Sequence, residues 1–326
     1  MKVSYEPRLS KLKAAGLKLV SAYGVPLGLF LVLSLAALYI FVSHKNSASP
    51  DFPRSAGEFM AAAKAERRLA ELRGLLAADP GNMRLLAESG MLKYQLGPAS
   101  YVEAIADLER ARALGFSGVS SFYYLGTMYQ AVGLYDFAAQ EYRKFLNNNP
   151  GDADARMLLA KLCYSSGDFP CAVKEYEALL EKRGDDLVVL ENLALARWKN
   201  NQDYAPLLAK LRDLDAAGRF LADYAQGRIY YELKDYANAS GFLKKAAAAS
   251  AAAGEFSDPA ALFWLAGDSA YKNKETDAAY GCLQELIKLN PAHEEGKMLL
   301  AKIEKARRAE EKKSARAAGK KGAAAK

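Results

Sequence analysis

The sequence has few of the residues from which catalytic and metal sites are usually built. Its 326 residues include only two histidines, His44 and His293, and three cysteines. No histidine lies in an H-E-x-x-H pattern, no two cysteines have C-x-x-C spacing, and G-x-S-x-G, G-K-[S/T] and G-x-G-x-x-G motifs are absent. These absences argue against a zinc site, a serine hydrolase and a nucleotide-binding enzyme. We therefore expect no catalysis, no cofactor, no metal and no small-molecule substrate.

Basic charge is balanced by acidic charge along most of the chain. The formal net charge is +7, and the residues from Lys302 to Lys326 carry ten basic and three acidic side chains, which account for all of it. We predict that residues 310–326 form a basic tail. This tail is either a solubilising, unstructured end or, as the alternative, part of a segment 305–326 that binds anionic lipid, an envelope polymer or nucleic acid.

One long stretch, residues 19–43, contains no charged residue. At about 1.5 Å per residue, a helix of this length can cross the roughly 30 Å hydrocarbon core of a bilayer. A cleaved signal peptide is the competing interpretation, but the apolar run exceeds the usual signal core of about 7 to 15 residues. The stretch therefore predicts one uncleaved N-terminal transmembrane helix.

The charges on either side of this stretch predict its orientation. Residues 1–18 contain five lysines and arginines, whereas only Lys45 and Arg54 follow the stretch closely. The positive-inside rule then predicts a cytoplasmic N-terminus, a linker at residues 44–55 and an exported remainder. In a bacterium this means a single-pass protein of the inner membrane with a periplasmic domain. The alternative is the same topology in a eukaryotic organelle membrane, with that domain in the cytosol.

The clearest pattern lies between Val119 and Asp152. Small residues, Gly126 and Ala138, stand at the spacing that lets large ones, such as Tyr142 and Phe145, lie across two closely packed antiparallel helices. The other large and turn-forming residues of the pattern are Phe122, Leu125, Tyr129, Gly133, Tyr135 and Pro150. In nearly every signature position this stretch resembles the tetratricopeptide repeat.

The same spacing recurs along about 240 residues. It predicts six repeats that begin near residues 83, 119, 153, 187, 220 and 260, of which the fourth is degenerate because Asn201 replaces the glycine between its helices. A helix at residues 294–309 would cap the stack. The resemblance implies an all-α fold, a right-handed solenoid of about six helix-turn-helix repeats plus the capping helix, over residues 56–309.

Two of the cysteines fall on opposite helices of one predicted hairpin. Cys163 and Cys171 occupy positions 11 and 19 of the third repeat. They are either ordinary packed thiols or an oxidised pair in an oxidising compartment.

The resemblance also implies a binding face, because the first helices of tetratricopeptide repeats line a concave groove. Aromatic residues recur there at repeat position 12, and others stand at position 5. Their alternative role is to fill the seam between adjacent repeats. The predicted groove residues are Tyr94, Tyr123, Met157, Lys161, Tyr164, Trp198, Tyr224, Arg228, Tyr231, Trp264 and Tyr271.

Together these features resemble bacterial single-pass, membrane-anchored tetratricopeptide repeat proteins. The resemblance implies a scaffold that binds partner proteins or peptides in its groove and assists envelope protein assembly or secretion. The alternative is an electrostatic tether, in which the repeats are a spacer and the basic tail is the binding element.

Overall fold

The computed structural model describes residues 51–250 and 258–324 together with Ser34, and its side chains are described as far as residue 313. Within these residues the chain is all-α, with fourteen α-helices and no strand. The helices are α1 (Ala62–Ala78), α2 (Met83–Gln95), α3 (Tyr101–Ala113), α4 (Val119–Ala131), α5 (Tyr135–Asn148), α6 (Ala153–Ser165), α7 (Phe169–Arg183), α8 (Leu187–Lys199), α9 (Ala205–Leu214), α10 (Ala216–Glu232), α11 (Tyr236–Ala249), α12 (Pro259–Lys272), α13 (Thr276–Leu289) and α14 (Glu294–Ala324).

Short turns join consecutive helices into antiparallel hairpins. Gly133 and Gly167 both adopt φ 81° in the turns after α4 and α6, a left-handed conformation that glycine accepts without steric cost. Asn201, where the repeat pattern lacks its glycine, takes φ 55° in the corresponding turn. Asparagine tolerates this conformation better than most residues, so the fourth hairpin keeps the same kind of turn despite its degenerate sequence.

The chain divides into two compact units, one up to Arg156 and one from Met157 onward. In the first unit, α2 packs on α3 and α4 on α5. In the second, α10 packs on α11 and α12 on α13, around a cluster that includes Phe220, Leu243 and Leu262. Because each hairpin buries its apolar face against a neighbour within its unit, the core runs from hairpin to hairpin.

Helix bounds differ from the expected pattern in two places. Helix α10 begins at Ala216 rather than at Phe220, because the Asp215 side chain accepts a hydrogen bond from Gly218 N and caps an extra turn. Helix α14 runs to Ala324, beyond the end of the capping helix predicted at residue 309. Its Lys, Ala, Arg and Glu residues are all good helix formers. The division into six repeats over residues 56–309 stays a proposal.

The helices of the structure show that the predicted localisation in the inner membrane is wrong. Among the described residues, none of the helices combines the length and apolar composition that crossing a membrane requires. Apart from Ser34, the predicted span at residues 19–43 lies outside the described residues. The single-pass topology and the periplasmic location are therefore not part of the function proposed below.

A disulfide joins the two helices of the third hairpin. Cys163 on α6 and Cys171 on α7 are bonded, with a Cα–Cα distance of 5.8 Å, whereas Cys282 is a free thiol. The structure therefore contains the oxidised pair, one of the two alternatives for these cysteines.

We expect reduction of this disulfide to lower the free energy of unfolding by about 2 kcal/mol, because the bond removes loop-closure entropy from the unfolded chain. Urea unfolding with and without a reducing agent measures the difference. The Cys171→Ser variant should unfold like the reduced wild type in either condition, and the Cys282→Ser control should respond to reductant as the wild type does. An unchanged wild-type midpoint under reducing conditions would show that the cysteines are not paired in solution.

Candidate functional site

The predicted groove residues all lie on the first helices of the hairpins, namely α2, α4, α6, α8, α10 and α12. Tyr94 and Tyr123 belong to the first unit, and the other nine belong to the second. The two units differ in what covers these helices, so each is described by itself. That the eleven residues bind a partner stays a prediction.

In the first unit, a non-helical segment before α1 lies against the first helices. We call this segment, residues 51–60, the strap. The ring of Phe52 makes edge contacts with Tyr123 and Tyr124 of α4, at 5.3 Å between centroids in both cases. A third edge contact joins Phe52 to Phe145 of α5 at 5.9 Å. Aromatic rings favour this arrangement, so Phe52 fills a slot whose walls are aromatic.

Arg54 of the strap binds a buried carboxylate. Its Nη1 and Nη2 donate to the two oxygens of Asp152, at 3.0 and 2.6 Å, and the Asp152 side chain is only 1% exposed. The guanidinium also stacks on the rings of Phe52 and Tyr123, at 4.4 and 4.8 Å from their centroids. A bidentate Arg–carboxylate pair beside aromatic faces requires arginine, since lysine has no planar guanidinium that can donate two parallel hydrogen bonds.

The other end of the strap contacts α2. The ring of Phe59 meets Tyr94 at 5.6 Å, and Met60 N donates to Gln95 Oε1 at 3.0 Å. Tyr94 and Tyr123 are consequently 4% and 7% exposed. The chain itself thus covers the two groove residues that the sequence pattern places in the first unit.

Sequence reasoning missed the strap because it overlaps the segment predicted as a linker, residues 44–55. A repeat pattern cannot reveal an extended segment that contacts helices up to about a hundred residues away. The available signal was compositional. Phe52, Pro53 and Arg54 place an aromatic ring and a guanidinium side by side, which a solvated linker does not need.

The second unit carries a group of aromatic and charged side chains on α6, α8 and α10. We call it the groove cluster, and it consists of Tyr164, Glu191, Trp198, Lys199 and Arg228. Lys199 Nζ lies 4.5 Å from the Trp198 ring centroid and pairs with Glu232. The Arg228 guanidinium lies 5.5 Å from the Tyr224 ring. Tyr164, Trp198 and Arg228 are each partly exposed, so this face offers rings and charges to solvent.

Glu191 is the buried member of the groove cluster. Its side chain is 10% exposed, and its Oε1 lies 3.6 Å from Arg228 Nη1, the only ion pair that the described residues give it. Burial raises the pKa of Glu191 to about 7, and the nearby Arg228 charge opposes that rise only in part. Near neutral pH the cluster therefore contains a carboxyl group poised between its two protonation states.

We expect the free energy of unfolding to fall by about 2 kcal/mol between about pH 5.5 and about pH 7.5 because of Glu191. In this window the folded chain holds a proton that the unfolded chain, with a carboxyl pKa near its ordinary value, has already released. The stabilisation is therefore complete below the unfolded pKa and is lost as the pH rises through about 7.

Urea unfolding at both pH values, on the wild type and on Glu191→Gln, isolates this contribution. In the Glu191→Gln variant, the free energy of unfolding should no longer fall with pH in this window. A Glu285→Gln variant, which changes an exposed carboxyl of α13, should keep the wild-type pH dependence. An identical slope in wild type and Glu191→Gln would contradict the assignment.

Tyr231 joins two neighbouring hairpins. Its hydroxyl donates to Asp268 of α12, and Lys272 both pairs with Asp268 at 2.6 Å and stacks on the Tyr231 ring at 5.1 Å. Burial together with the Asp268 carboxylate raises the pKa of Tyr231 to about 12. Tyr231 thus fills a seam between repeats, as the alternative role of these aromatics predicts.

The remaining groove residues contact different surroundings. Trp264 packs on His293 at 4.9 Å between ring centroids, and Lys302 of α14 stacks on Tyr271 at 5.3 Å. These two aromatics therefore help to attach the last helix. On α6, Met157 is half-buried and Lys161 is exposed.

One group of side chains has the residue types of a metal site. Cys163, Asp168 and Cys171 place their ligand atoms within 4.8 Å of one another. Both sulfurs are joined in the disulfide, and Asp168 Oδ1 accepts a hydrogen bond from Cys171 N. Cysteine binds a metal through its thiolate, so the two sulfurs joined in this disulfide are not available as ligands.

Comparison with known proteins bears on the fold. Neither a protein-family model nor a curated protein matches the sequence. Among solved structures, a tetratricopeptide repeat protein from Parabacteroides merdae superposes with a TM-score of 0.52 at 16% sequence identity, over 74% of this chain and 93% of that one. The C-terminal part of a tetratricopeptide repeat protein from Cytophaga hutchinsonii gives 0.49 at 17% identity, over 72% and 93%.

At these identities the likeness concerns the fold and leaves function open. The superposition on the Parabacteroides merdae protein agrees with the antiparallel helix hairpins described above. The chain therefore has the tetratricopeptide repeat fold that its sequence pattern predicts.

Proposed function

We propose that the chain is a protein-interaction scaffold that binds a partner protein or peptide on the first-helix face of its second unit. The groove cluster is the observation that supports this proposal. Tyr164, Trp198 and Arg228 are partly exposed side chains of the types that dominate binding energy at protein interfaces. Within the described residues, Arg228 has one ion-pair partner, Glu191 at 3.6 Å, which leaves its other donors for an acidic group on the partner.

The proposal narrows the predicted groove. Tyr94 and Tyr123 are covered by the strap, while Tyr231, Trp264 and Tyr271 hold neighbouring elements together. Binding therefore centres on α6, α8 and α10. A role in envelope assembly or secretion depended on the membrane anchor and is dropped with it, and the basic segment 305–326 as an anionic tether stays a prediction.

Photo-crosslinking tests the location of the partner. A photoreactive residue at Tyr164, in the cells that naturally produce the chain, should give a discrete product, and the same residue at Tyr135, a 51% exposed aromatic on α5, should not. Mass spectrometry of the product identifies the partner.

We expect the variant Tyr164→Ala/Trp198→Ala/Arg228→Ala to bind the purified partner at least about tenfold more weakly than the wild type, because aromatic and arginine anchors at interfaces each contribute about 1.4 kcal/mol or more. The matched control is Tyr135→Ala/Phe137→Ala, which removes two exposed aromatics from α5. Fluorescence anisotropy or calorimetry gives both dissociation constants. Equal affinity of the triple variant and the wild type would refute the proposal.

A further inference from the structure

Residues 52–54 make the contacts of a bound peptide. They form no helix, and they place one ring, one carbonyl and one guanidinium against the first unit. Phe52 enters the aromatic slot, and Arg54 reaches the buried Asp152. Between them, the carbonyl oxygen of Pro53 accepts a hydrogen bond from Tyr124 Oη at 2.8 Å. Proline favours an extended backbone at the residue before it, so the segment is shaped to lie along the helices.

The receiving residues are held in place by the helices and not by the strap. Asp152 caps α6, since its Oδ1 accepts a hydrogen bond from Ala155 N at 2.9 Å. Tyr142 lies behind Tyr123 in the core, at 6.4 Å between ring centroids, and is completely buried. The carboxylate and the aromatic slot would therefore persist if the strap left, and water would then reach Asp152.

Few hydrogen bonds hold the part of the strap that follows Arg54. Two backbone hydrogen bonds, from Glu58 N to Ser55 O at 2.9 Å and from Phe59 N to Ala56 O at 3.4 Å, form a turn there. The Glu58 carboxylate also accepts a hydrogen bond from Arg54 N at 2.7 Å. Residues 55–58 are exposed, so residues 52–54 can leave the aromatic slot while Phe59 and Met60 stay packed against the first helices.

We propose that the first unit contains a binding site for an extended peptide of a partner protein that presents an aromatic residue and, two positions later, an arginine. The strap occupies this site and competes with that peptide. The proposal goes beyond the function assigned to the second unit, because it uses none of the groove cluster and names a different ligand.

Competition from the strap has a predictable size. A tethered segment acts at an effective concentration on the order of millimolar, so it outcompetes a free peptide of similar sequence. Removing the Phe52 and Arg54 side chains should free the site and raise the affinity for an added peptide by at least about tenfold.

The probe is a fluorescent peptide with the sequence of residues 51–60, and the receptor is the full chain. Anisotropy should show weak binding to the wild type and at least about tenfold tighter binding to Phe52→Ala/Arg54→Ala. Adding Asp152→Asn to that variant should reverse the gain, since asparagine still caps a helix but lacks the charge that holds arginine. A peptide with glutamine in place of its arginine should bind as weakly as the wild-type peptide binds to the Asn variant.

Two outcomes would overturn the proposal. One is a Phe52→Ala/Arg54→Ala protein with wild-type helix content by circular dichroism and no tighter peptide binding. The other is a wild-type dimer at high concentration that the same variant abolishes, which would assign the site to the strap of a second copy.

If the double variant does not fold, a specific protease site inserted between Met60 and Ala61 replaces it. The chain then folds with the strap in place and is cut afterwards. The labelled peptide should replace the severed segment, and a severed segment that stays bound against excess peptide would equally overturn the proposal.

Discussion

Tyr142→Ala should lower the free energy of unfolding of the first unit by about 4 kcal/mol, the upper range for removing a large buried aromatic side chain. The Tyr142 ring is 0% exposed and lies across Gly126, where an added Cβ would stand 2.7 Å from Tyr142 Cε1. Its hydroxyl donates to Gln130 Oε1 at 3.0 Å. Loss of the ring opens a cavity between α4 and α5 that the rigid hairpin cannot close.

Two matched variants separate the ring from its hydroxyl and its neighbour. Tyr142→Phe keeps the ring and should cost only about 1 kcal/mol, the value of one hydrogen bond. Gly126→Ala should cost about 2 kcal/mol by overpacking, and most of this cost should disappear when it is combined with Tyr142→Ala. Urea unfolding of the wild type, Gly126→Ala, Tyr142→Ala and their combination gives a double-mutant cycle. Strictly additive effects would show that the two residues do not share a contact.

The packing of these two residues was predictable from the sequence because it repeats. Wherever the pattern has a glycine in the first helix, that glycine faces a large residue of the second helix. An added Cβ would stand 2.7 Å from Leu108 if built on Gly90, 2.6 Å from Leu243 if built on Gly227, and 2.9 Å from Leu283 if built on Gly267. A repeat pattern predicts contacts of this kind well, since every repeat places a small residue of its first helix opposite a large residue of its second helix.

Contacts that occur once leave no periodic trace. The Arg54–Asp152 pair joins residues 98 positions apart, and neither residue type by itself indicates a partner. The hydrogen bond from Tyr231 to Asp268 likewise shows that Tyr231 lies in a seam between repeats and not in an open groove. The position of an aromatic residue within a repeat cannot make this distinction by itself. The sequence pattern thus predicted the hairpins, whereas the covered and the open parts of their first helices needed the structure.

The predicted groove residues have different surroundings, which the repeat pattern likewise could not predict. An aromatic residue on a first helix can face a partner, the strap or the next hairpin, and all three occur here. Tyr123 meets the strap, Tyr231 meets Asp268, and Tyr164 remains partly exposed among the charges of the groove cluster. Recognition of the family therefore predicts where binding can occur, and the local contacts select which residues are available for it.

Gly218→Ala should lower the free energy of unfolding of the second unit by about 3 kcal/mol, because the clash is with backbone rather than with a movable side chain. Gly218 lies in the first turn of α10, and a Cβ there would stand 2.2 Å from the carbonyl oxygen of Leu211 on α9. The residue is not at a positive φ, so the requirement for glycine comes from this close approach alone. The pattern of repeats gave no reason to expect it.

The matched control is Gly241→Ala in α11, where an added Cβ meets nothing within 4 Å. Alanine should stabilise that helix by up to about 1 kcal/mol, so the two glycine substitutions should shift the urea midpoint in opposite directions. A Gly218→Ala protein as stable as the wild type would show that α9 and α10 do not approach as closely in solution.

The same substitution tests the link between fold and binding face. Helix α10 carries Arg228, so pushing it away from α9 should change the distance to Glu191 on α8, which is 3.6 Å in the structure. We then expect Gly218→Ala to alter the pH dependence that Glu191 produces between about pH 5.5 and about pH 7.5. Gly241→Ala should leave that dependence unchanged. An effect on stability without any change in the pH profile would mean that α10 moves as one body with α8, and that the groove cluster does not depend on the α9–α10 contact.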